Sequence, residues 1–234
     1  MKYLILGDIH GRIIWKDIVS KEDFDKVIFL GDYVSTHEDI SAKQQISNLL
    51  DILKYKYNNL DKVILLRGNH DIQHLGYSWA ECSGYNSEIG NYMSESVFKE
   101  RLLNLTQWCY IDDDLKIIFS HAGVSQVWLD DSGIEDAHNI NSYEPSQLFG
   151  FTPDNYFDNC GYSKTQPLTW IRPESLCMCN VLGYTQVVGH TPCKKIIEVN
   201  KSTKGNQSIW LCDTLGYGEY LVIDDGEFNV KKFK

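Results

Sequence analysis

Arginine is scarce in this sequence. Only Arg12, Arg67, Arg101 and Arg172 occur in 234 residues, and lysine plus arginine number 22 against 32 acidic residues. The formal net charge of −10 and the lack of a basic run argue against extensive nucleic-acid binding, which needs clustered cations. A small phosphorylated ligand stays open, because a bound dication reverses the local sign. Long apolar runs are missing too. The first stops at Gly7-Asp8, so neither a secretory leader nor a membrane span is expected. There is no internal repeat, low-complexity tract or evident linker, and a single domain over residues 1–234 is the simplest organisation. The seven cysteines are an odd set. Cys177-x-Cys179 is the tightest pair, and it lacks a second pair at zinc-finger spacing. Free thiols in a reducing cytoplasm are the expectation.

One pattern recurs five times. A short run rich in Ile, Leu and Val ends in a small or polar residue next to a potential metal ligand. Tyr3–Leu6 precedes Gly7-Asp8-Ile9-His10-Gly11, Val27–Leu30 precedes Gly31-Asp32, and Val63–Leu66 precedes Arg67-Gly68-Asn69-His70-Asp71. Ile117–Phe119 precedes Ser120-His121-Ala122-Gly123, and Val187-Val188 precedes Gly189-His190-Thr191. Continuous apolar runs fit strands covered on both faces. Ligands at their carboxyl ends would gather at one place, as sites in layered α/β proteins do. Ser41–Tyr57 carries apolar residues at helical spacing, with Ser41 as its cap. Val97–Leu105 is a second helix. Lys195–Val199, Ser208–Cys212, Tyr220–Ile223 and Phe228–Val230 read as short strands of a second, mainly antiparallel sheet. Ile72–Met93 and Asp130–Gln166 show little periodicity and read as long loops.

The candidate ligands are Asp8, His10, Asp32, Asn69, His121 and His190. Carboxylate and amide oxygens mixed with imidazole nitrogens suit Mn²⁺, Fe²⁺ or Zn²⁺ better than Mg²⁺ or Cu(I). An aspartate between two such ions can bridge them. The pair would activate a water as hydroxide and hold phosphate oxygens. Each motif alone is common; the ordered set of five is the signal.

That set, with Leu168-Thr169-Trp170-Ile171-Arg172-Pro173 and Cys212-Asp213-Thr214-Leu215-Gly216-Tyr217-Gly218, resembles the calcineurin-like metallophosphoesterase superfamily. Within it the likeness is to the phosphoprotein phosphatase group of bacterial and bacteriophage type, a branch that includes the symmetrical diadenosine tetraphosphate hydrolases. It runs from Tyr3 to about Tyr220. The resemblance implies an α/β fold of two mixed β-sheets packed as a sandwich flanked by helices, with the metal site at strand ends. It implies two divalent ions, manganese first, with iron or zinc as options. Asp8 and His10 would hold one, Asn69, His121 and His190 the other, and Asp32 would bridge. His70 would protonate the leaving oxygen and Arg172 would clamp phosphate, roles that also suit their chemistry.

The pattern breaks after Asp32. The family continues Gly-Asp-x-x-Asp-Arg, whereas this chain has Gly31-Asp32-Tyr33-Val34-Ser35-Thr36. Ser35 stands where an Asp would orient His70, so Asp71, Glu38 or Asp39 becomes the candidate partner. Thr36 stands where an Arg would hold phosphate, so Arg12, His37 or His74 becomes the candidate second clamp beside Arg172. Trp15, Trp79, Tyr77 and Tyr85 are either core and loop anchors or platforms for a nucleobase. The expected function is hydrolysis of phosphomonoesters, including phosphorylated Ser or Thr of a protein. Dinucleoside polyphosphates or other nucleotides are the alternative substrates, nuclease activity is a weaker one, and a non-catalytic scaffold is the non-enzymatic reading.

Overall fold

Strand β1 (Lys2–Leu6) shows why the apolar runs are continuous. Its Leu4 and Leu6 pack with a layer of helices, while Tyr3 and Ile5 pack against a second sheet. Side chains alternate across a strand, so covering both faces demands apolar residues at every position. The computed structural model describes residues 1–150, 160–199 and 208–233.

The remaining strands are β2 (Lys26–Phe29), β3 (Val63–Leu65), β4 (Cys109–Asp112), β5 (Ile117–Ser120), β6 (Thr185–Val188), β7 (Ile197–Val199), β8 (Ile209–Leu211), β9 (Glu219–Asp224) and β10 (Glu227–Lys232). They form two five-stranded sheets, β10-β9-β1-β2-β3 and β4-β5-β6-β8-β7. In the first, β1, β2 and β3 are parallel, and β9 and β10 add antiparallel strands. In the second, β5, β6 and β8 are parallel, with antiparallel β4 and β7 at the edges. Tyr3, Ile5, Ile28, Leu30, Ile64, Phe119, Val187, Leu221 and Ile223 fill the space between the sheets. The mixed two-sheet sandwich is therefore as expected.

Helices α1 (Trp15–Lys21), α2 (Ala42–Asn58), α3 (Asn69–Gln73), α4 (Ser87–Met93), α5 (Ser96–Leu105), α6 (Gln126–Asp131) and α7 (Pro173–Met178) complete the layers. Ser41 does cap α2: its hydroxyl accepts the Gln44 N–H, and the Gln44 side chain returns a contact to the Ser41 N–H. Leu49, Ile52 and Leu53 of α2 lie against β1 and β2, each contributing about 1.5–3 kcal/mol by burial.

Three expectations need correction. The last four strands do not make a sheet of their own. Strand β9 is buried on both faces, so it needs a neighbour and two covering layers, and it finds them beside β1. Strand β8 instead joins β6 in the other sheet. The stretch Ile72–Met93 is not a plain loop, because it holds α4, the end of α3 and a short 3₁₀ turn at Ser78–Ala80. Asp130–Gln166 likewise contains 3₁₀ turns at Ala137–Ser142 and Gln147–Phe149; its residues 151–159 lie outside the described ones. Among the described residues no helix is long and apolar enough to cross a membrane.

Candidate metal centre

The exits of β1, β2, β3, β5 and β6 meet, and backbone hydrogen bonds stitch them together. The N–H groups of Ile9 and His10 both donate to the Asp32 carbonyl, at 3.1 and 2.7 Å, and Gly189 N–H donates to the His121 carbonyl at 2.8 Å. The two sheets are joined here as well. His190 N–H reaches Asp8 Oδ1 at 3.0 Å, and His121 Nδ1 reaches the Leu30 carbonyl at 2.8 Å. The glycines admit these approaches. A Cβ on Gly189 would sit 2.1 Å from Asp8 Oδ1, and one on Gly68 would sit 2.1 Å from Asp32 Oδ1.

Backbone strain concentrates at the same place. His10, Asp32, Ser35 and His190 have positive φ of 46°, 49°, 66° and 61°. That region disfavours residues with a Cβ, at about 1–3 kcal/mol each.

All six candidate ligands come together. Ligand atoms of Asp8, His10 and Asp32 lie within 4.8 Å of one another, as do those of Asp32, His121 and His190. Asp32 belongs to both groups. Asn69 Oδ1 sits 2.9 Å from His121 Nε2 and 3.0 Å from His190 Nδ1. The amide nitrogen of Asn69 donates to Cys82 Sγ at 3.4 Å, which turns the oxygen toward the histidines. His10 Nδ1 lies 3.1 Å from the Val34 carbonyl. Donation from that nitrogen and from His121 Nδ1 leaves each Nε2 lone pair for the centre.

The electrostatics call for cations. Asp8, Asp32 and Asp213 are buried carboxylates in one cluster. Burial and then Asp213 push Asp8 well above the usual carboxylate range. Burial also raises Asp32, but His121 and His70 more than offset it, and its carboxylate ends below its ordinary value. His121 is drawn up to about 10 by Asp32 and Asp8 in spite of its burial. His190 is held well below its ordinary value by burial and by His121 and Arg172, and its Nε2 is buried with no hydrogen-bond partner among the described residues. Convergent oxygens and nitrogens, surplus buried acid and an orphaned imidazole nitrogen fit divalent cations bound at this place.

These residues floor a cavity of about 550 Å³, whose lining includes Arg12, His37, His70, Trp170, Arg172 and Tyr217. His70 Nε2 is 4.0 Å from Asp32 Oδ2. Burial lowers the His70 pKa to about 4, against the pull of Asp32. Arg172 Nη1 donates to Thr191 Oγ1 at 3.2 Å and to the His190 carbonyl at 3.4 Å. Arg12 is tied to Glu38 by Nε at 2.7 Å and Nη2 at 2.6 Å, and His37 is exposed at the rim.

Several candidates lie elsewhere. His74 is fully buried, set between the His70 carbonyl and the Asn86 N–H, so it is no phosphate clamp. Asp71 accepts the N–H groups of Asp32, Tyr33 and Gly68 and does not orient the His70 ring; Glu38 is engaged by Arg12. Trp15 is a core residue bonded to Asn48, and Tyr77 stacks on Trp79 away from the cavity. Half-buried Arg67 serves the fold through Thr106 and Leu103. Sequence reasoning missed Asp213, Trp170 and Tyr217 as lining residues, although both segments holding them had been singled out. It also missed Gln73, whose Nε2 lies 2.7 Å from His70 Nδ1; the signal was the i, i+3 spacing on a helix opening at Asn69.

A two-sheet sandwich with a cluster of metal-ligating groups at its strand ends defines the class, and the family follows from comparison. The calcineurin-like phosphoesterase family model matches residues 1–194, and the chain belongs to that family. Curated relatives include two symmetrical bis(5'-nucleosyl)-tetraphosphatases of Buchnera aphidicola. The one from subsp. Acyrthosiphon pisum (strain Tuc7) is 29% identical over 143 residues, and the one from subsp. Schizaphis graminum (strain Sg) is 31% identical over 140. Each match covers 55% of this chain and 46% of the relative, so the chain spans about half the length of these relatives. Among solved structures, a cold-active protein-tyrosine phosphatase of a psychrophilic Shewanella aligns over the whole chain and 80% of its own, at 17% identity and a TM-score of 0.57. A serine/threonine phosphatase from Saccharomyces cerevisiae aligns over the whole chain and 80% of its own, at 14% identity and a TM-score of 0.58. At such identity these two structures speak for the fold.

Proposed function

We propose that this chain hydrolyses phosphomonoesters with two divalent cations, and the membership of Asp32 in both ligand groups is the observation that carries the reading. Asp8 and His10 would hold one cation with Asp32; Asn69, His121 and His190 would hold the other with Asp32. The donor set suits Mn²⁺, with iron or zinc as options. When bound, such a pair supplies Lewis acidity and lowers the pKa of water toward neutrality. The chain's own groups do the rest. Arg172 binds phosphate oxygens, and Arg12 and His37, which line the same cavity, add cationic donors to the same anion. His70 directs Nε2 at the ester oxygen that leaves and stabilises it as the P–O bond breaks. A phosphorylated Ser or Thr side chain on a protein is the substrate class we favour.

A second reading has its own support. Tyr217 is 61% exposed at the cavity, and Trp170 lines the same cavity. Such rings suit a nucleobase, and the curated relatives are named for a dinucleotide substrate. Dinucleoside polyphosphates, or other nucleotides, are therefore the alternative. A non-catalytic scaffold is disfavoured because the ligand set, His70 and Arg172 are all in place.

The deciding assay compares metal-stripped and Mn²⁺-loaded protein on an aryl phosphate, a phosphopeptide and diadenosine tetraphosphate. Metal-dependent release of phosphate from the peptide is expected. Preference for the dinucleotide selects the second reading, and no turnover on any of the three sinks both.

A further inference from the structure

Asp32 stands 4.0 Å from His70 Nε2, but no carboxylate bonds the ring's other nitrogen, Nδ1, among the described residues. Position 35, where the family pattern has Asp, carries a serine whose Oγ is buried without a hydrogen-bond partner among the described residues. The ring instead meets Gln73, one turn further along α3 and 5% exposed. Gln73 Nε2 lies 2.7 Å from His70 Nδ1 and 3.4 Å from the Ser83 carbonyl, while its Oε1 is buried with no partner among the described residues. Turning the amide over would set Oε1 against the Ser83 carbonyl and bury two N–H donors where Oε1 now lies. The amide therefore keeps its nitrogen to the ring. Nδ1 then accepts, and the single ring proton belongs on Nε2, the nitrogen that faces Asp32 and the cavity. Gly84 lies alongside the ring, close enough that an added Cβ would stand 3.2 Å from His70 Cε1, and the His10 ring packs edge-on at 5.6 Å.

We propose that Gln73 is the positioning residue for His70, taking the place of the missing carboxylate and keeping Nε2–H turned to the leaving oxygen. The inference rests on the phosphoesterase reading above. An amide differs from a carboxylate in what it does to the ring. It fixes orientation and tautomer through a hydrogen bond and places no negative charge on the Nδ1 side of the ring. That help is graded: a basic alkoxide gains most from it and a nitrophenolate gains little.

The test compares wild type with Gln73→Ala, metal-loaded, on a phosphoserine peptide and on p-nitrophenyl phosphate. The variant is expected to lose about 10–100-fold in kcat on the peptide, with KM unchanged and little loss on the aryl ester. Equal loss on both esters, or none on either, overturns the proposal. A second readout does not depend on turnover. In zinc-loaded wild-type protein, ¹⁵N NMR of the histidines is expected to show His70 unprotonated at Nδ1 and protonated at Nε2. Gln73→Glu, which can only accept, is expected to move the proton to Nδ1. A protonated Nδ1 in the wild type, or no response to Gln73→Glu, overturns the assignment even in an active enzyme. Wild-type protein inactive on both esters would instead count against the phosphoesterase reading, leaving the NMR result to decide the place of Gln73.

Discussion

The carboxylate of Asp71 holds the backbone N–H of Asp32 at 2.9 Å. The same group takes the N–H of Tyr33 at 2.8 Å and that of Gly68 at 2.9 Å. One side chain thus sets the exits of β2 and β3 relative to each other. Asp71→Asn keeps the shape but opposes an amide N–H₂ to at least one of these donors. It is expected to cost about 1–3 kcal/mol of stability and to weaken metal binding by about 10–100-fold. Thermal melting and metal titration calorimetry check the two effects; unchanged affinity would show that Asp71 serves the turn alone.

Gly189 and Gly68 are expected to be intolerant of even one added carbon. Gly189→Ala places its Cβ against Asp8, and Gly68→Ala against Asp32. Both variants are expected to fold with displaced carboxylates and to lose most bound metal. Elemental analysis after dialysis reads this directly, and full metal content in Gly189→Ala would contradict the geometry.

His70 is expected to be separable from the metal ligands. His70→Asn is predicted to lower kcat while metal content stays at the wild-type level, because no candidate ligand group includes His70. Loss of metal in this variant would reassign the residue as a ligand.

Arg12 gives Nε and Nη2 to Glu38 Oε1 and Nη1 to the Asp8 carbonyl, so Glu38 is expected to compete with an anionic substrate for the guanidinium. Glu38→Gln is expected to free the guanidinium and lower KM for an anionic ester. Arg172→Ala is expected to cost about 1.5–3 kcal/mol of transition-state binding, or roughly tenfold to hundredfold in kcat/KM. Steady-state kinetics on one aryl phosphate distinguishes the two directions.

Far from the cavity, His138 stands 2.6 Å from Asp136 and 2.9 Å from Asp113. Those two hydrogen bonds, Asp136 first, raise its pKa above the ordinary 6.5. The stability it contributes is fully present below the unfolded value and is lost as pH rises through the folded one. The groups are exposed, so the contribution is small. An NMR titration is expected to place the folded midpoint above 6.5 and to find it lowered by Asp113→Asn; an unmoved midpoint would refute the pairing.

The ligand positions were legible because each follows an apolar run that could only be a buried strand. Asp8, Asp32 and His190 end such runs, and the runs are apolar throughout because both faces are covered. Sheet membership was not legible. Tyr220–Ile223 declares a strand but does not name its neighbour, and only the burial of both its faces places it beside β1. Strand β4 escaped notice because Cys109–Asp112 is a short edge strand with three half-buried residues. Gln73 escaped because α3 has five residues, too few for a helical period to show.

Asp8 and His190 are 182 residues apart, and β1 lies between β2 and the late strand β9. Asp8 and His10 have Asp32 close by in sequence, but Asp8 meets the His190 N–H only once most of the chain is available. During synthesis, β1 has one edge without a neighbour, and such an edge invites pairing with other chains. The parallel, long-range pairing also makes assembly slow. A chain cut before β9 would thus carry every candidate ligand beside an open edge of β1, so the ligands are made before the sheet that braces them is closed.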